Sequence, residues 1–360
     1  MSYRLLRSLL FRLEPETAHD ISLGLLSAAQ PFRLPRLLSG PRPRLDTQLL
    51  GLRFPNPVGL AAGLDKNGDH IRALAALGFG FVEIGTVTPR PQGGNPRPRM
   101  FRLTRHGALI NRMGFNNKGV EHLVNRVRAA RFQGILGINI GKNADTPADQ
   151  AVDDYLYCLR KVYQYASYVT VNISSPNTRG LRDLQHGTQF DELLASLKGE
   201  QMQLSLTWNR YVPLVIKISP DMDEQQLRVL ADALLRHRMD AVAATNTTVD
   251  RDAVIGHRHG GESGGLSGRP LLARSTATIT LLAEHLQGAL PIIGIGGIAK
   301  GSDAVMKLRA GASLVQVYTG FIYRGPRLIG ECVSAMRYMD EPARSVATDL
   351  IEEVDEILGD

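Results

Sequence analysis

Val169-Thr-Val-Asn-Ile-Ser-Ser-Pro-Asn-Thr-Arg-Gly180 begins as a β-branched run and breaks at Pro176, so it reads as a buried strand ending in a polar loop. Barrel enzymes keep their chemistry at such strand ends. Asn172 and Asn177 each offer a donor and an acceptor, which suits a planar ligand with amide-like edges, and Ser174 and Ser175 add hydroxyls in the same loop. No His or carboxylate flanks those serines, so a Ser-His-Asp hydrolase is not indicated locally. The same residues are ordinary turn formers, and that plainer reading stands beside the functional one.

Outward from this stretch, eight short apolar strand candidates recur at 58–63, 79–87, 135–141, 168–174, 214–219, 241–247, 291–297 and 313–319. Segments with helical spacing lie between most of them, such as 226–238 with Leu227, Leu230, Leu234 and Leu235. Eight strands close a parallel barrel, and polar residues gather at the strand ends throughout. A (β/α)8 TIM barrel of the α/β class is therefore expected, with an open doubly wound sheet as the alternative. The interval 87–135 is too long for a simple crossover and holds Pro89-Arg-Pro91, Gly93-Gly94, Pro96-Arg-Pro98 and Asn111-Arg-Met-Gly-Phe-Asn-Asn117, the composition of a functional loop.

Two helices precede the barrel. In the first, Leu6, Leu9, Leu10 and Leu13 form a stripe opposite Arg4 and Arg7; in the second, opening near Pro15, the stripe is Ala18, Ile21, Leu25, Ala28 and Ala29. Such a pair either packs on the barrel as a hairpin or lies in a membrane surface. Pro35, Pro41 and Pro43 make a stiff linker, which sets the expected divisions at 1–44, 45–336 and 337–360. The last division is acidic, and its Leu350, Ile351, Val354, Ile357 and Leu358 suggest a surface helix.

The 360 residues are 43% hydrophobic and 21% charged, a soluble globular composition. Cys158 and Cys332 are far apart and lack metal-ligand spacing, so buried thiols are expected, with no disulfide framework and no metal. No run is apolar enough to span a bilayer, and the acidic N-terminal residues do not fit a secretion signal. Of the +7 net charge, residues 1–44 carry +4 and residues 337–360 carry −6, so the middle carries +9. That suits anionic substrates, phosphates or lipid headgroups; nucleic acid is not indicated, for lack of a binding motif or a stacking series.

Gly294-Ile-Gly-Gly-Ile298 and Tyr318-Thr-Gly320 follow the seventh and eighth strands, where glycines let backbone N–H groups approach a phosphate; Gly264-Gly265 and Ser267-Gly268 lie in the preceding loop. A phosphate-bearing cofactor is expected there. The Rossmann spacing is not met. Lys66 follows strand one, and Lys217 sits within Val215-Ile-Lys-Ile-Ser219 and should point into the barrel, where an unpaired ammonium is costly. A structural carboxylate partner, a Schiff base and a planar heterocycle held with Asn139, Asn172, Thr245 and Asn246 are the readings open for it.

Together, Gly59-Leu-Ala-Ala-Gly-Leu-Asp-Lys66, Gly85-Thr-Val-Thr-Pro89, Asn111-Arg-Met-Gly-Phe-Asn116, Val171-Asn-Ile-Ser-Ser-Pro-Asn177, Ala244-Thr-Asn-Thr247, Gly264-Gly-Leu-Ser-Gly268 and Gly296-Gly-Ile298 resemble the dihydroorotate dehydrogenase family in its class 2, quinone-dependent, membrane-associated branch. The resemblance runs in order over residues 1–336. It implies an FMN-containing barrel that oxidises dihydroorotate to orotate in pyrimidine (UMP) synthesis, with ubiquinone or menaquinone as acceptor.

By the same resemblance Ser175 is the base that takes the C5 proton while hydride leaves C6; class 1 enzymes have Cys there. Lys66, Asn111, Arg112, Met113, Gly114, Phe115, Asn172, Asn177, Asn246 and Thr247 are implied for the substrate. For FMN it implies Ala61, Ala62, Gly63, Leu64, Asp65, Thr86, Asn139, Asn172, Lys217, Thr245, Gly268, Gly297, Tyr318 and Thr319, with Lys217 stabilising the reduced flavin. His19, Arg102 and Tyr318 would line a quinone route beneath the N-terminal helices. A monomer, peripheral on the cytoplasmic side of the cell membrane, is the expected state. A related flavin barrel with another acceptor and a noncatalytic flavin or nucleotide sensor are the rival readings.

Overall fold

The computed structural model describes residues 3–32, 35, 43–178, 180–185 and 187–339; the expected linker proline Pro41 and most of the acidic 337–360 segment lie outside them. Thirteen strands are present among these: β1 (Thr47–Leu49), β2 (Leu52–Phe54), β3 (Val58–Leu60), β4 (Phe81–Val87), β5 (Met100–Leu103), β6 (Ala108–Asn111), β7 (Ile135–Ile140), β8 (Tyr168–Asn172), β9 (Leu214–Ile218), β10 (Ala241–Ala244), β11 (Gly265–Gly268), β12 (Ile292–Ile295) and β13 (Leu314–Val317). The order β3-β4-β7-β8-β9-β10-β12-β13 closes on itself, all parallel, with Val315 opposite Val58 at the seam. These eight are the eight expected strands, and the doubly wound alternative falls.

The barrel fills because large and small residues face each other across the ladders. Phe81 is opposite Gly59 and Tyr168 opposite Gly137, and a Cβ at either glycine would stand 2.3 Å from the facing ring. Above this apolar layer Glu83 accepts from Asn139 Nδ2 (2.8 Å), Tyr168 OH (2.9 Å), Thr170 Oγ1 (3.1 Å) and Gln316 Nε2 (2.7 Å). A buried carboxylate is held here by four donors from three neighbouring strands. The outer helices bury their apolar stripes on the strands; the helix Glu224–Arg236 starts at Asp223, which forms a capping box with Gln226.

Two sheets were not foreseen. The β1–β2 hairpin closes the N-terminal end of the barrel, with Phe54 edge-on to Phe81 at 5.2 Å. Its turn places both Leu50 and Gly51 at positive φ, and a leucine there is a weak turn signal. At the other end, β5, β6 and β11 form an antiparallel sheet: part of the interval 87–135 and the glycines 264–268, read as loops, are strands that cover the C-terminal mouth.

The N-terminal helices α1 (Tyr3–Leu10) and α2 (Pro15–Ala29) are present, but their faces differ from expectation. Arg7 does not face away: its guanidinium donates to the Tyr323 carbonyl (2.8 Å), and Tyr3 OH donates to that of Ile322 (2.6 Å). On α2 the packed residues are Glu16, Ala18 and Leu23, whereas Ile21, Leu25 and Ala28 are exposed. Glu16 decides this, because it is buried against Arg99 through paired bonds of 2.9 Å and reaches Arg97 at 3.0 Å. Burial pushes its carboxyl up, but the guanidiniums more than reverse that and hold it below its ordinary value.

Candidate active site

At the C-terminal ends of the barrel strands lies a cavity of about 150 Å³, open at its mouth and roofed by the β5–β6–β11 sheet. The loop after β8 sends one of its two serines into it. Ser174 Oγ donates to Asn172 Oδ1 (3.0 Å) and accepts from Asn246 Nδ2 (3.0 Å), so its hydroxyl is spent within the wall. Ser175 lines the cavity, and its Oγ accepts from the Asn177 N–H (3.2 Å). No described His or carboxylate hydrogen-bonds it. Asn177 in turn reaches Asn111 Oδ1 (3.3 Å) on β6, bringing the roof's carboxamide over the strand-end carboxamides of Asn172 and Asn246.

Lys217 and Asn172 are partners across β8 and β9, and both face the interior. Burial holds the Lys217 ammonium below its ordinary pKa against the pull of Glu83. Among the described residues none accepts a hydrogen bond from it, and Gln316 Oε1, buried in the same wall, also lacks a described partner. Lys66, in the loop after β3, is drawn down to about 8 by burial, although Glu16, Asp20 and Asp65 oppose the shift. Elsewhere the wall is neutral and glycine-rich: Gly268, Gly296 and Gly297 come with the hydroxyls of Ser267 and Thr319, which meet at 2.8 Å. Gly297 has φ +83, and a Cβ there would fall 2.3 Å from Leu272 Cα.

A second, polar cavity lies between α2 and the barrel mouth, with His19, Asp20, Asp69 and His70 in its wall. It meets the first at Lys66, Met100 and Met113. His19 is pulled down to about 4 by burial and by the nearby Lys66 and His70, so its ring is neutral at physiological pH. Tyr318, in the first cavity, is pushed up to about 12 by burial. Arg102 stacks over Phe11 at 4.6 Å and donates to the carbonyls of Phe11 and Leu13, fastening the turn between α1 and α2.

Most expected site residues converge on the first cavity: Ala61, Ala62, Gly63, Lys66, Thr86, Asn111, Met113, Gly114, Phe115, Asn172, Ser175, Asn177, Lys217, Thr245, Asn246, Thr247, Gly268, Gly297, Tyr318 and Thr319. Four do not. The guanidinium of Arg112 is held by Glu262 (2.7 Å) and the Pro98 carbonyl (2.8 Å) and stacks over Phe101, outside the cavity. Asp65 accepts from the backbone N–H groups of Asp69 (2.9 Å) and His70 (2.7 Å) and so shapes its own loop. Leu64 is packed in the core, and Asn139 lies one layer down, between Glu83 and Thr86 Oγ1 (2.6 Å).

The sequence reading missed Met100, Leu109, Leu271, Ile295 and Gln316 in the wall, and Arg182 behind it. Arg182 donates to the carbonyls of Ser174 (3.2 Å) and Thr247 (3.0 Å) and pairs with Asp221 (2.9 Å), which ties the Ser175 loop to the end of β10. Little in the sequence marks it, since Asp221 and Thr247 are distant in sequence and only Ser174 is nearby. Among the described residues no group of His, Cys, Asp or Glu could hold a metal ion, and Cys158 and Cys332 are buried thiols.

Fold and site together define a (β/α)8-barrel enzyme with a cavity of lysines, carboxamides and glycines at its strand ends. The family model described as dihydroorotate dehydrogenase matches residues 44–337. Dihydroorotate dehydrogenase (quinone) of Cellvibrio japonicus is 59% identical over 334 residues, which are 93% of this chain and 98% of that protein. The protein of the same name from Methylococcus capsulatus is 60% identical over 327 residues, 91% and 96% of the two chains. The crystal structure of DHODH in complex with ferulenol from Eimeria tenella superimposes with a TM-score of 0.83 at 39% identity, covering 90% of this chain and 91% of that one. This chain belongs to the dihydroorotate dehydrogenase family, whose members are flavin-dependent oxidoreductases.

Proposed function

We propose that this protein oxidises (S)-dihydroorotate to orotate through bound FMN and passes the electrons to a quinone, ubiquinone or menaquinone, in de novo pyrimidine biosynthesis. One observation carries the site reading: a serine without a described His or carboxylate partner shares one cavity with two lysines whose pKa values burial lowers and a ring of carboxamides. The glycine-rich wall, the unpartnered ammonium of Lys217 and the unpartnered Gln316 Oε1 fit FMN, whose isoalloxazine has polar edges and whose phosphate suits exposed backbone N–H groups.

When bound, FMN supplies the two-electron acceptor for hydride from substrate C6. Ser175 removes the C5 proton. Its unperturbed hydroxyl is a weak base, so proton removal draws on the acidity of the bound substrate and on the loop that holds Ser175 in place. Lys66 binds the substrate carboxylate, while Asn111, Asn172, Asn177, Asn246 and Thr247 bind its imide-like edges; Met113, Gly114 and Phe115 exclude water from the roof side. Ala61, Ala62, Gly63, Thr86 and Thr245 would border the flavin ring, and Lys217 would offset negative charge on it. Gly268, Gly297, Tyr318 and Thr319 would hold the phosphate end. Arg112 has no part in this scheme.

The N-terminal helices give the quinone its approach. Leu5, Leu9, Leu25 and Phe32 are 60%, 51%, 63% and 76% exposed, an apolar face that supports peripheral contact with the cytoplasmic side of the membrane. No described helix is long and apolar enough to cross a bilayer. His19, neutral and half-enclosed, and Tyr318 lie towards the cavities beneath these helices, and Arg102 holds their turn.

The test is the anaerobic visible spectrum, before and after dihydroorotate and then after a soluble ubiquinone analogue. Bleaching of the flavin band followed by its return is the expected result. A band that never bleaches would identify a noncatalytic flavin protein, and one that bleaches but ignores quinone would move the protein to another acceptor class.

A further inference from the structure

Among the described residues the cations that line the first cavity are Lys66 and Lys217, and Gly268, Gly296, Gly297 and the stretch after β13 bring no charged side chain to its wall. A phosphate beside these glycines carries between one and two negative charges at neutral pH, and backbone N–H groups alone would have to offset them. Behind this wall is a buried ammonium with no established use. Lys307, fully buried on the helix Gly301–Arg309, donates to Ser275 Oγ (2.5 Å), Thr276 Oγ1 (2.8 Å) and the Leu272 carbonyl (3.3 Å), all uncharged oxygens. The nearby carboxylate of Asp303 instead accepts from the backbone N–H groups of Ala299 (2.9 Å) and Lys300 (3.1 Å), capping its own helix.

Ser275 continues the chain. Its Oγ lies 2.8 Å from the Leu271 carbonyl and 3.1 Å from the Gly296 carbonyl, and a Cβ on Gly296 would meet that Oγ at 2.9 Å. Two hydrogen-bond lengths therefore connect the ammonium to the backbone of the glycine pair 296–297. We infer that Lys307 is a positioning residue of the phosphate cradle, holding Gly296 and Gly297 through Ser275 and placing a positive charge behind an otherwise neutral wall. The inference rests on the FMN reading. Burial pulls Lys307 down to about 7 against the influence of Asp303, and a phosphate on the far side of the glycines favours its charged form again.

FMN and riboflavin differ only in the phosphate, so the full chain, stripped of flavin, is titrated with each by quenching of flavin fluorescence. A wild-type chain that binds FMN no better than riboflavin overturns the FMN reading itself, and this inference with it. Given a wild-type preference, Lys307→Met is expected to cut the FMN-over-riboflavin ratio by about tenfold or more while riboflavin affinity moves little. Lys307→Arg should retain most of the ratio. Equal weakening of both flavins, or an unchanged ratio, overturns the inference and leaves Lys307 as a clamp between helices. If Lys307→Met does not fold, Ser275→Ala is read by the same ratio: a reduced preference supports the link, and an unchanged one overturns it.

Discussion

Ser174 and Ser175 are adjacent in sequence, but their hydroxyls have different surroundings, and the proposed mechanism gives only Ser175 a chemical role. Replacing Ser175 by alanine is expected to slow flavin reduction by dihydroorotate about 10²- to 10⁴-fold, with the flavin spectrum unchanged, as stopped-flow absorbance would show. Ser174→Ala instead leaves the Asn246 amide without its acceptor at that hydroxyl, costs stability of about 1–3 kcal/mol, and affects the rate less. Should Ser174→Ala prove the slower of the two, the assignment of the base would be wrong. Lys66 gives a pH prediction of definite sign. Its folded-state pKa of about 8 means that the cation is present below that pH and is lost above it, so binding of the anionic substrate should weaken as pH rises through about 8. Flavin reduction at saturating substrate should accelerate over the same range, because a serine base is helped by higher pH. The opposite slopes separate the two groups, and a dissociation constant flat from about pH 7 to 9 would remove Lys66 from the carboxylate site.

At the scale of the element, α2 shows why a periodic stripe does not name its own partner. Ile21, Leu25 and Ala28 share a face by helical spacing, yet the helix is turned so that Glu16 can reach Arg99 and Arg97 on the opposite side. The exposed stripe is the face proposed above for a lipid surface. Ile21→Glu with Leu25→Glu should abolish co-sedimentation with anionic vesicles while turnover with a soluble quinone analogue stays near wild type. Retained vesicle binding would point to another face. The β5–β6–β11 sheet gives the complementary case. Glycines 264–268 looked like loop because glycine is depleted in strands, and pairing with β6 over the cavity mouth overrides that local preference.

Across the whole molecule, the closed barrel is held around one buried carboxylate. Glu83 gathers donors from β7, β8 and β13 and is also the counter-charge for Lys217, so the core that closes the fold and the floor of the site are one network. Glu83→Gln keeps the shape but replaces an acceptor oxygen by a donor facing four donors. Thermal and denaturant unfolding should show a loss of about 3–5 kcal/mol, with weaker flavin retention as Lys217 loses its partner charge. An unchanged midpoint would show that the network is dispensable.

By itself the sequence determined the eight staves, the polar strand ends and the family motifs, because strand period, chain-breaking prolines and glycines, and residue type at a strand end are local properties. Only the tertiary structure decided that Arg112 leaves the site for Glu262, that Asp65 shapes a loop, that Arg182 braces the Ser175 loop and that Lys307 stands behind the glycines. A long charged side chain can reach several partners from one backbone position. Which of them it finds depends on what distant segments bring within a few ångströms, and on the cost of burying a charge without one.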